Sequence, residues 1–146
     1  LRSDIADALR DLFVGDNLLK GYGINNNVFQ LNVDIDPKSV GVSPPYLVFS
    51  LKVGPSSDSV AMETLSIIVW GVVAGGIDKP SDTLDTTMYR VISLLDRRPE
   101  NLIGQHCYDL VKQDTMEPTY MIDINCYVAS VTFSGFIKAS HLSDLK

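Results

Sequence analysis

Few side chains in this 146-residue chain could do chemistry, and none of them converge. His106 and His141 are its only histidines, Cys107 and Cys126 its only cysteines. A structural zinc site wants four converging ligands. Neighbours on a strand point to opposite faces, so adjacent His106 and Cys107 do not share a metal. A Cys–His nucleophile pair would need Cys126 to meet a histidine across strands. Cys126 falls on an apolar stripe instead, where burial raises a thiol's pKa and leaves it inert. Asp34, Asp36, Glu63, Asp109 and Asp123 are scattered, whereas general acid–base work needs paired carboxyls in a shared pocket. They read as a solvated strand face. Gly75-Gly76 precedes a helix as a phosphate loop would, but no Gly-Lys-Ser/Thr follows, so the pair is a turn. No catalytic residue, metal site or cofactor is expected, and the chain does not read as an enzyme.

The whole-chain numbers bound the remaining classes. A length of 146 residues fits one domain, with a polar C-terminal tail from about residue 138. Hydrophobic residues make up 45% and charged residues 21%, globular values that exclude intrinsic disorder. No apolar run approaches the roughly 20 residues of a membrane helix. Asp4 and Asp7 near the start do not fit a signal peptide. A net charge of −6 argues against a phosphate-binding surface. Two cysteines make no disulfide framework.

The elements are organised around Met62–Leu95. Leu65, Ile67 and Val69 alternate with Thr64 and Ser66, and then Ile68, Trp70 and Val72 make both faces apolar, a strand half-covered early and fully covered late. Trp70 is expected beneath the helix that follows. Ala74-Gly75-Gly76 ends the strand. Lys79-Pro80-Ser81-Asp82 starts the helix, with Ser81 or Asp82 as its cap. Leu84, Met88, Val91, Ile92 and Leu95 form its apolar stripe, and Arg97-Arg98-Pro99 closes it.

Before this core, Ile5, Ala8, Leu9, Leu12 and Phe13 mark a first helix, broken at Gly15-Asp16-Asn17 and followed by a loop. Phe29, Leu31, Val33 and Ile35 alternate with polar residues, predicting a strand over Val28–Ile35. Asp36–Pro45 reads as a long exposed connection. Tyr46–Val53 is a second strand, joined through Gly54-Pro55-Ser56-Ser57-Asp58-Ser59 to Met62 as an antiparallel hairpin. After the second helix come a strand over Leu102–Lys112, a polar turn at Gln113–Pro118, and a closing strand over Thr119–Ile137. The apolar parity shifts near Ala129-Ser130, as a bulge or bend there would produce. The sum is an α+β fold: a mostly antiparallel sheet, two helices packed on one face, and a protruding hairpin.

The order of these elements resembles the tail terminator (minor tail, or tail completion) proteins of long-tailed bacteriophages. The residues that carry the resemblance are Pro44–Phe49 (Pro-Pro-Tyr-Leu-Val-Phe), the hairpin into Leu65–Trp70 (Leu-Ser-Ile-Ile-Val-Trp), Gly75-Gly76, the capped helix, and Cys107–Asp109 (Cys-Tyr-Asp). It spans roughly Ile5 to Phe133. The resemblance implies a virion protein that forms a homohexameric ring on a finished tail tube, stops its growth and presents the head-joining surface. Implied partners are its own copies, the tail tube protein and a head–tail connector, with DNA only as transiting cargo and no membrane. The implied location is the head-proximal end of the tail, after synthesis in the host cytoplasm.

A ring needs two different complementary patches per subunit. Phe29, Leu31, Val33, Asp36, Lys38, Tyr46, Asp58 and Glu63 are the interface candidates, with Asp58 and Glu63 as acidic lumen residues that repel phosphate. Two rival readings stay open, a head-completion or neck connector protein and a small cytoplasmic ligand-binding or enzymatic domain.

Overall fold

An amphipathic helix and a half-buried strand hide their apolar faces together when helices lie on one face of a sheet. This chain adopts that arrangement in a computed structural model that describes residues 2–30, 37–55, 62–102 and 104–138. The elements are α1 (Arg2–Val14), α2 (Asn17–Gly21), β1 (Val28–Gln30), α3 (Pro37–Val40), β2 (Tyr46–Pro55), β3 (Met62–Ala74), α4 (Pro80–Leu95), β4 (Cys107–Met121) and β5 (Cys126–Lys138). The sheet order is β1-β2-β3-β5-β4. Only β1 and β2 run parallel; every other pair is antiparallel.

The first helix places Ile5, Leu9 and Phe13 in the core over β1 and β2. It ends as its spacing predicts, but the segment after Gly15 is not a plain loop. Asp16 caps a second short helix by accepting the Leu19 N–H at 3.0 Å. Asp is a strong helix N-cap as well as a helix breaker, and buried Leu19 anchors the new turn. Of the strand expected over Val28–Ile35, Val28–Gln30 forms β1, and the rest lies outside the described residues. The connection before β2 is not simply exposed. Val40 and Val42 pack back onto the sheet.

The central hairpin keeps one register from Tyr46 opposite Val72 to Pro55 opposite Glu63. Leu47, Phe49, Leu65, Ile67 and Val69 all face the helices. Trp70 corrects an expectation, because it lies on the face away from α4, among Tyr46, Val48, Val72 and Val128. Its neighbour Gly71 faces the helix instead. A Cβ there would come within 2.7 Å of Met88 Sδ, so glycine is what lets α4 approach. The helix start differs too. Lys79 is the N-cap residue, with φ 48°, no side-chain cap bond and Pro80 in the first turn. Proline fixes φ for the first helical turn and needs no donor there, so no serine or aspartate cap is required.

The largest departure is in the last hairpin. Gln113–Pro118 is strand, not turn, because β4 runs unbroken from Cys107 to Met121 and the chain reverses at Ile122–Asn125. Polar residues are tolerated there because β4 is an edge strand with most of its side chains exposed. The irregularity expected near Ala129-Ser130 is on the β4 side only, where Met116 and Thr119 stand opposite Ser130 and Val128. The pairing of β3 with β5 is continuous from Met62–Lys138 to Ala74–Cys126. The apolar parity changes because β5 is central. Cys126 and Val128 serve the small cluster on one face, while Ala129, Val131 and Phe133 serve the main core on the other. The register shifts are in β4, between Tyr108 and Val111, Lys112 and Asp114, and Met116 and Thr119.

Candidate assembly interface

Of the interface candidates read from sequence that fall within the described residues, Phe29 and Tyr46 meet, and Glu63 lies apart from them. Leu31, Val33, Asp36 and Asp58 lie outside the described residues. Phe29 is half-buried and meets Tyr46 edge to face, with ring centroids 6.3 Å apart. Tyr46 is fully buried, so a partner could reach it only through the residues that cover it. Lys38 is exposed on α3. Glu63 is half-buried at the opposite end of the central hairpin, paired with Pro55. At about 3.3 Å per strand residue, the run from Tyr46 to Pro55 separates the two ends by about 30 Å.

Both sheet edges are blunted against strand pairing. On β1 the Asn27 carbonyl already accepts the Leu47 N–H of β2. The next carbonyl, that of Val28, accepts from Arg10 Nε at 3.3 Å, which occupies the edge with a cation. On β4 the defences are three register shifts, the charged residues Lys112, Asp114 and Glu117, and Pro118, which has no N–H to donate. Among the described residues neither edge offers a clean ladder to another chain.

Exposed large apolar side chains concentrate at β4. Tyr89 is 73% exposed on α4, and Ile122 is 80% exposed at the β4–β5 turn. Met88, Tyr89 and Ile92 of α4 and Met116 and Pro118 of β4 wall a groove of about 280 Å³, lined also by Asp85, Lys112 and Glu117. Sequence reasoning missed this groove. Two signals pointed to it: Tyr89 falls off the apolar stripe of α4, and Met116 interrupts a polar run. Both large apolar residues were unexplained by burial.

On its other side α4 is tied to α2. Arg90 donates to Asp16 through Nε at 3.0 Å and Nη2 at 2.7 Å, a bidentate pair across 74 residues. The Arg90 guanidinium holds the Asp16 carboxyl below its ordinary value of 3.8, against the opposing effect of burial. A carboxyl with a lowered folded pKa stabilises the fold at pH above its unfolded value, and that contribution is lost as pH falls through the folded value. Asp16→Ala, which removes the cap and the pair, is expected to cost about 1.5 kcal/mol at neutral pH. In denaturant titrations the gap from the native protein should shrink as the pH falls below 3.8. A gap that did not change with pH would show that the pair contributes nothing.

Both thiols are buried, and that of Cys126 donates to the Ile124 carbonyl at 3.3 Å. Burial pushes Cys107 up to about 11, so it is protonated at neutral pH. Alkylation at pH 8 should therefore leave Cys107 unmodified in the folded protein and label it on unfolding; prompt labelling would contradict its burial. Among the described residues no group of three His, Cys, Asp or Glu side chains could hold a metal ion. No helix among them is long and apolar enough to cross a membrane.

No protein-family model and no curated protein matches the chain. Among solved structures it is similar to a chain in the virion of a native gene transfer agent particle. The TM-score is 0.67 and the identity 11%, with 90% of this chain and 92% of that chain covered. At that identity the similarity shows a shared fold.

Proposed function

We propose that this protein is a structural component of a phage-like virion, and within it a tail terminator. In this reading its copies close into a ring on the head-proximal end of the tail tube, stop further tube subunits adding, and present the surface that joins the head. The observation that carries the reading is the likeness to a virion chain across nearly the full length of both proteins. The order of elements around Pro44–Trp70 and Gly75-Gly76, and a surface of blunted edges with no converging reactive groups among the described residues, support it.

Its partners would be its own copies, the tail tube protein and a head–tail connector. Charge fits a conduit, because a net charge of −6 keeps transiting DNA from adhering. Asp58 and Glu63 are the proposed lumen acids. Mixed with purified tail tubes and imaged by negative stain, the protein should cap one end of each tube and block further subunit addition. Portal complexes should be left without bound protein. Binding to portal and not to tubes would replace the terminator with a neck connector, and binding to neither would end the virion reading. In assembled particles, Asp58→Lys with Glu63→Lys should slow DNA ejection, and unchanged ejection would remove the lumen assignment.

A further inference from the structure

We draw no further inference here: the strongest candidate, the apolar groove between α4 and β4 walled by Tyr89, Ile92, Met116 and Pro118, carries none because nothing in the structure shows what covers it.

Discussion

Phe133→Ala is expected to lower stability by about 4 kcal/mol, the range for deleting a buried aromatic ring. Phe133 is fully buried at the middle of β5. It stands opposite Ile67 on one neighbouring strand and Lys112 on the other, on the face that α4 covers. A strand bonded on both sides cannot move to fill the space, so the cavity term adds fully to the lost transfer energy. For a chain of this length the thermal midpoint should fall by roughly 12 °C. Calorimetry with matched denaturant titrations would measure it, and a loss below about 1 kcal/mol would mean that β5 is not the packed centre of the sheet.

Gly135→Val, two residues along the same strand and on the same face, should fail for the opposite reason. A Cβ at Gly135 would sit 2.9 Å from the Tyr108 carbonyl oxygen and 3.1 Å from Leu110 Cα. Those atoms belong to the backbone of β4 where its register slips and Asp109 takes φ 52°. No rotamer change can clear them, so the bulge itself must be pushed out. Overpacking of this kind costs about 3 kcal/mol. Gly71→Ala provides the contrast. It meets the ends of Met88 and Leu84, which can turn aside, so its loss should be clearly smaller. Equal losses at the two sites would show that side-chain adaptability does not decide the outcome.

Regular stripes were readable wherever one face of an element meets the core. Ile5, Leu9 and Phe13 of α1, Leu84, Met88 and Val91 of α4, and the alternation through Leu47–Leu51 and Leu65–Val69 all face the main core, as their spacing predicts. Reading failed where a residue's surroundings depend on strands distant in sequence. Gln113–Pro118 looks like a turn because polarity marks exposure, and an edge strand is as exposed as a turn. Ile122 and Ile124 look like strand, yet they occupy the reversal. Trp70 lies on the face away from α4, which periodicity does not reveal, because it shows that two faces are covered but not by what. Here the segment carrying Val40 and Val42 covers the face away from α4. The candidate groove was illegible for a related reason. Tyr89 and Met116 are 27 positions apart, and nothing in either local pattern says that α4 lies along β4.

Strand order carries a consequence for how the molecule comes into being. β4 is made before β5, yet its only partner in the sheet is β5, which also bonds β3 along its whole length. While residues 126–138 are still unmade, β4 has no ladder to join and the hairpin of β2 and β3 has a bare flank. The nascent chain can assemble α1 with the first three strands, but the sheet closes only when a late strand slots between two earlier ones. Acquisition of the native fold is thus expected to trail synthesis, with apolar β3 exposed to chaperones in the interval.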